Sequence, residues 1–126
     1  KRGSWSMRPL PLLLLVSLLT TGCAPEVGDP CASALECGTE MICDLSLPGG
    51  YCTAGDCEFL GCPEAGVCIT FPNSEEWCMT QCSSSGDCRD GYECIDEETF
   101  LLQADQYEDG AEEFTTPTSA YCGLLH

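Results

Sequence analysis

Cys31 to Cys52 reads CASALECGTEMICDLSLPGGYC, four cysteines separated by five, five and eight residues, the last preceded by Tyr51. The same order returns twice. Cys57, Cys62, Cys68 and Cys78 leave gaps of four, five and nine, and Cys82, Cys88, Cys94 and Cys122 leave gaps of five, five and twenty-seven. Trp77 and Tyr121 precede the closing cysteines of these two sets, and Ser33 matches Ser84 as Glu36 matches Asp87. Agreement of spacing, closing aromatic residue and acid before the second cysteine marks tandem repetition, with repeats over 31–56, 57–81 and 82–126. One sign cuts across this register: Gly55-Asp56-Cys57 and Gly86-Asp87-Cys88 are identical tripeptides at different repeat positions. A shift of the boundaries by one cysteine is therefore left open.

Each set spans only about 22 to 41 residues, near or below the size at which a chain needs cross-links to fold alone. Large apolar residues are sparse and show no sustained helical or strand period, so bridges are expected to be the main source of order. Pro48-Gly49-Gly50 before Tyr51 and Pro72-Asn73 before Trp77 predict a chain reversal between third and fourth cysteines. The expected fold class is small and disulfide-rich, with tandem short β-hairpin or irregular four-cysteine repeats, little helix and no single large core. Spacing does not fix the pairing. Four cysteines allow three connectivities, so three closed repeats allow 27.

Upstream of the repeats, Leu10 to Leu19 is apolar apart from Pro11 and Ser17, about half the length a membrane-spanning helix needs. Met7 and Arg8 precede it and Thr20, Thr21, Gly22 and Cys23 follow, the charged, apolar and small-residue order of a secretory signal over 1–22. Lys1 to Ser6 are expected to lie upstream of the natural start at Met7. A cysteine directly after Gly22 resembles the bacterial lipobox, with Thr20 where that family prefers Leu and Leu19 one step further back. The resemblance implies that Cys23 is acylated and that 23–30 is a lipidated tether. It also implies, since Ala24 and not Asp follows, the outer membrane of a Gram-negative cell, at the cell surface or on the periplasmic face.

Parity agrees with this reading, because setting Cys23 aside from thirteen cysteines leaves twelve, an even number. The alternative is ordinary cleavage with Cys23 free or paired. With the leader go Lys1, Arg2 and Arg8, so the mature chain keeps Arg89 as its one Lys or Arg against 21 acids, a formal charge of 1 − 21 = −20. Such a charge disfavours nucleic acid and anionic lipid and favours cations or basic partners. The membrane is then reached through the lipid anchor only.

Cysteine, five residues ending in an acid, cysteine, five residues, cysteine and an aromatic-cysteine close resembles the cysteine-rich units of Dickkopf-type N-terminal domains. It also resembles those of surface lipoproteins of predatory soil bacteria, over Asp29 to Cys122. Likeness to the opening half of EGF-like modules implies first-to-third and second-to-fourth pairing. That pairs Cys31 with Cys43, Cys37 with Cys52, Cys57 with Cys68, Cys62 with Cys78, Cys82 with Cys94 and Cys88 with Cys122. The resemblance carries over no binding residue.

Catalytic and metal chemistry find little in the sequence. No two cysteines are separated by only two residues, and the sole histidine is His126, so zinc ligation and a Ser/His/Asp mechanism are not expected. No enzyme activity is expected. The segment 95–121 is instead the candidate partner loop, with Phe100, Leu101 and Leu102 as an apolar patch and eight acids, Asp96, Glu97, Glu98, Asp105, Glu108, Asp109, Glu112 and Glu113. Read as an EF-hand from Asp105, it puts Tyr107 where an oxygen ligand is needed and Thr116 in place of the closing Glu. No cofactor is expected beyond weak calcium binding by loose carboxylates.

The leading expectation is a non-enzymatic, surface-anchored module that binds a protein or surface polymer. One alternative is a small secreted protease inhibitor, with Arg89 as the basic specificity residue or Met41 or Leu60 for elastase-like targets. The other is a purely structural coat or spacer protein.

Overall fold

Between the third and fourth cysteines of every set the chain folds back into a two-stranded antiparallel hairpin. The computed structural model describes Gly3, residues 22–63 and 65–104, Pro117 and residues 119–125. The apolar leader, Asp105, Glu108, Asp109, Glu112, Glu113 and His126 lie outside the described residues. β1 (Ile42–Asp44) pairs with β2 (Tyr51–Thr53), β3 (Gly66–Thr70) with β4 (Glu76–Thr80), and β5 (Glu93–Ile95) with β6 (Tyr121–Gly123). Pro48-Gly49-Gly50 and Pro72-Asn73 sit at the first two reversals, as their turn chemistry predicts.

The register sets the third and fourth cysteines of each repeat directly opposite one another: Cys43 faces Cys52, Cys68 faces Cys78 and Cys94 faces Cys122. Facing residues of an antiparallel pair project to the same side. They are not bonded to each other. Cys31 is bonded to Cys43, Cys37 to Cys52, Cys57 to Cys68, Cys62 to Cys78, Cys82 to Cys94 and Cys88 to Cys122, with Cα separations of 5.3 to 5.9 Å. Both bridges therefore leave one face of the hairpin and hold the first half of the repeat against it. Three sulfurs in each repeat lie within 4.8 Å of one another, as two stacked bridges require.

The matching serines and acids of repeats one and three have a local cause. Glu36 Oε2 accepts the backbone N–H groups of Ala32 and Ser33, and Asp87 Oδ2 accepts those of Ser83 and Ser84. Each acid thus forms the carboxylate half of a capping box on a short 3-10 turn, Ala34–Cys37 and Ser85–Asp87. Those N–H groups, Ala32 first, hold the Glu36 carboxyl below its ordinary range. Repeat two replaces the turn with α1 (Cys57–Leu60), entered through Asp56 at φ 52°. Gly55-Asp56-Cys57 and Gly86-Asp87-Cys88 are therefore alike in letters only, one leading into an α turn and the other closing a 3-10 turn. The bridges close within 31–52, 57–78 and 82–122.

Main-chain and hydroxyl hydrogen bonds join the three hairpins. Cys78 N donates to Ala54 O (2.8 Å) and Thr53 Oγ1 to Cys78 O (2.7 Å) between repeats one and two, and an antiparallel bridge pairs Gln81 with Tyr121 between repeats two and three. Tyr51 is the central post. Its hydroxyl accepts the Thr80 N–H at 2.9 Å, donates to Thr80 Oγ1 at 3.1 Å and lies 3.5 Å from the Cys122 carbonyl. Val27, Tyr51, Ile69, Met79, Ile95, Phe100 and Tyr121 form one thin apolar cluster with the cysteines. The core is small but crosses all three repeats.

Two segments differ from their expected form. The segment 23–30, expected as a tether, is packed in its second half: Val27 is buried, Gly28 N donates to Cys52 O (2.9 Å) and Cys52 N to Asp29 O (3.0 Å). Residues 26–30 are a layer on repeat one. The segment 95–121 is not loop throughout: Ile95 and Tyr121 belong to strands, and α2 (Glu97–Ala104) follows Ile95. Asp96 Oδ1 accepts the Thr99 N–H at 2.9 Å, which starts that helix and lowers the Asp96 pKa.

Gly28 stands at φ +93°, and a Cβ there would overlap Thr80 Oγ1, the atom that donates to Val27 O. Gly28→Ala is expected to destabilise the fold by about 2 kcal/mol, read as a lower denaturant midpoint at unchanged slope.

Burial raises the pKa of Tyr51 and pushes that of Tyr121 up to about 12, the neighbouring Tyr51 adding to the latter. Both phenols stay neutral in the fold to a higher pH than in the unfolded chain, where the ordinary value is 10.0. Their stabilising contribution is complete below pH 10 and is lost as pH rises through the folded values. Rapid alkaline jumps should show two of the tyrosines forming phenolate late, with the denaturant midpoint falling from about pH 10 upward.

Candidate functional site

A cavity of about 630 Å³ opens where the three repeats meet, within the size range of ligand clefts. Each repeat supplies one wall. Asp44, Ser46 and Leu47 come from the end of β1 and its turn. Phe71, Pro72, Asn73, Glu75, Trp77 and Met79 come from the β3–β4 hairpin. Tyr92, Phe100, Gln103, Tyr121 and Leu124 come from repeat three. Tyr92, Phe100, Tyr121 and Met79 are buried and make an apolar floor, while Asp44, Asn73 and Glu75 bring polar groups to the rim. Phe71 meets Tyr121 edge to face, with ring centroids 6.0 Å apart at 85°.

The rim is locally ordered. Asp44 Oδ1 accepts Ser46 N (2.8 Å) and Ser46 Oγ (2.6 Å), while Glu75 Oε2 accepts Asn73 Nδ2 (2.8 Å) and Trp77 Nε1 (3.4 Å). Asn73 Oδ1 takes the Glu75 N–H at 3.1 Å. The neutral donors are thus turned onto the two carboxylates, and each carboxylate keeps an oxygen with no partner among the described residues. Gln103 Nε2 is buried in the wall without a partner among the described residues.

Arg89 holds repeat three against repeat one beside this cleft. Its guanidinium donates to the Pro48 carbonyl (2.9 Å), the Gly50 carbonyl and the Tyr92 hydroxyl (2.9 Å), and Tyr92 in turn donates to Pro48 O (3.0 Å). Its Cζ lies 4.6 Å from the Tyr92 ring centroid and 5.4 Å from that of Tyr51. The side chain is thereby withdrawn from the exposed position that a protease specificity residue occupies.

Other expected site residues scatter. Phe100 is buried beneath the cleft, whereas Leu101 and Leu102 point outward at 42% and 64% exposure, so the apolar patch divides between core and surface. Met41 is buried, Leu60 is exposed on α1, and Cys23 is free and exposed. The sulfur clusters that could resemble metal sites consist of bridged cysteines, Glu76 joining one of them. Sequence reading missed Asp44, Asn73, Glu75 and Gln103, and it read Trp77 and Tyr121 only as repeat marks. Their signal is a difference: Tyr51 is the central post, whereas the equivalent Trp77 and Tyr121 line the cleft.

No family model matches the sequence, and comparisons with curated proteins and with solved structures find no match. Six bridges in tandem sets point to an exported, oxidising environment. Among the described residues no helix is long and apolar enough to cross a membrane.

Proposed function

We propose that the chain is a non-enzymatic binding module, displayed at the surface of a Gram-negative cell on a lipid carried by Cys23, and that the shared cleft holds its protein or polymer partner. The observation that carries this reading is the composite wall: three repeats that share one thin core leave an aromatic, acid-rimmed cleft between them. The described lining holds carboxylates, amides and hydroxyls on an apolar floor, a set suited to non-covalent grip. The bridge order within each repeat supports the likeness to Dickkopf-type and EGF-like units. The leader, the odd cysteine and the exposure of Cys23 support the lipoprotein reading. The 95–121 segment enters as part of the cleft wall, through Phe100 and Gln103.

Probing peptide and glycan arrays with the disulfide-intact protein and with Leu124→Glu separates cleft from loop. Leu124 is a half-buried wall residue, so its replacement should abolish captured signal, while Leu101→Ser/Leu102→Ser should keep it. The reverse pattern would return the site to the outer face of α2. Mass spectrometry of the native protein should find acyl chains on Cys23, and an unmodified thiol there would remove the anchor.

A further inference from the structure

We propose that the cleft takes a lysine or arginine side chain of a basic partner polypeptide, its aliphatic stem on the aromatic floor and its charged head at Asp44 and Glu75. This rests on the reading of the cleft as the binding site. Two observations choose the occupant. The first is charge: residues 23–126 carry 21 acids against Arg89, and Arg89 is already held by carbonyls and rings. The protein's field draws in a cation and repels an anion.

The second is the polarity of the rim. Ser46 and Asn73 already donate to Asp44 and Glu75, and each carboxylate keeps an oxygen with no partner among the described residues, so negative charge is what the rim presents. A neutral sugar would leave both of those charges uncompensated. A lysine or arginine head needs only acceptors, and its methylene stem matches a floor of Tyr92, Phe100, Tyr121 and Met79. Aromatic faces in the same wall, Trp77 among them, favour the cation further. A polypeptide also brings backbone carbonyls, the acceptor that Gln103 Nε2 lacks among the described residues.

Trp77 is the one tryptophan of residues 23–126 and lines the cleft, so its emission reports occupancy. The probes are an acetylated, amidated nonapeptide of three Lys-Ala-Leu units, its counterparts with Glu or Ser in place of Lys, and cellohexaose. The lysine peptide should shift Trp77 emission saturably at 20 mM salt and bind several-fold more weakly at 200 mM. The Glu and Ser peptides should bind at least about tenfold more weakly, as expected for two carboxylate pairs. Asp44→Asn/Glu75→Gln should cost the lysine peptide about tenfold, while Glu40→Gln/Asp90→Asn, which removes equal charge outside the lining, should change it less than about twofold.

Equal loss in both double variants would overturn the proposal in favour of general attraction to an acidic surface. Equal or tighter binding of the Ser peptide or of cellohexaose would overturn it and leave the cleft as a site of another class. Silence of Trp77 to every probe would overturn it together with the cleft reading.

Discussion

Reduction of the six bridges is expected to unfold the protein at 25 °C and neutral pH, with loss of near-ultraviolet circular dichroism and a red shift of Trp77 emission. The apolar core is thin, and several strands are only three residues long. Such hairpins are not stable alone in water. In the chain-entropy account a bridge closing about 15 residues contributes about 3 kcal/mol, and the contribution grows with loop length. Five of the bridges have sequence separations of 11 to 16, while Cys88–Cys122 has 34. Removing that bridge alone by Cys88→Ala/Cys122→Ala should cost about 4 kcal/mol, against about 3 kcal/mol for Cys57→Ala/Cys68→Ala. Denaturant titrations of the two variants check the order. Retention of native circular dichroism by the fully reduced chain would show that packing, and not the bridges, carries the fold.

Among single substitutions that leave the six bridges intact, Arg89→Ala should produce a large loss, about 3 kcal/mol. It removes the donor to the Pro48 and Gly50 carbonyls and a cation lying against both the Tyr92 and Tyr51 rings. Hydrogen bonds from a charged donor contribute about 1.5 to 3 kcal/mol each, and a half-buried cation on an aromatic face about 1 kcal/mol. The buried Nη1, which has no partner among the described residues, offsets part of that gain. Arg89→Lys should recover only a fraction, because an ammonium cannot span two carbonyls and stack on rings at once. A double-mutant cycle with Tyr92→Phe should give a coupling of about 1 kcal/mol, since Tyr92 and Arg89 share the Pro48 carbonyl. A loss below about 0.5 kcal/mol for Arg89→Ala would place the guanidinium in solvent.

Much of the fold is written locally and is legible for that reason. In repeats one and two, cysteine spacing, Pro-containing turns and closing aromatic residues each act within about twenty residues, and those two hairpins form where they predict. The bridge pairing was not legible in spacing, because 27 pairings satisfy the same gaps. Nor was the cleft, because Asp44, Glu75 and Tyr121 come from three repeats and meet only once Tyr51 and Arg89 have docked the hairpins. Arg89 shows the difficulty most clearly: a lone base in an acidic chain reads as an exposed specificity residue, yet its partners are carbonyls about forty residues away. The identical Gly-Asp-Cys tripeptides mislead for the opposite reason, since the preceding residues decide whether the acid caps a turn.

The cleft exists only if the three repeats behave as one body. Guanidinium unfolding with all bridges intact, followed together by Trp77 emission from repeat two and by tyrosine near-ultraviolet circular dichroism dominated by repeats one and three, tests this directly. The docked arrangement predicts superimposable transitions with one midpoint, both shifted down together by Arg89→Ala. Separate midpoints, with the Trp77 transition untouched by Arg89→Ala, would mean three independent beads and no shared site.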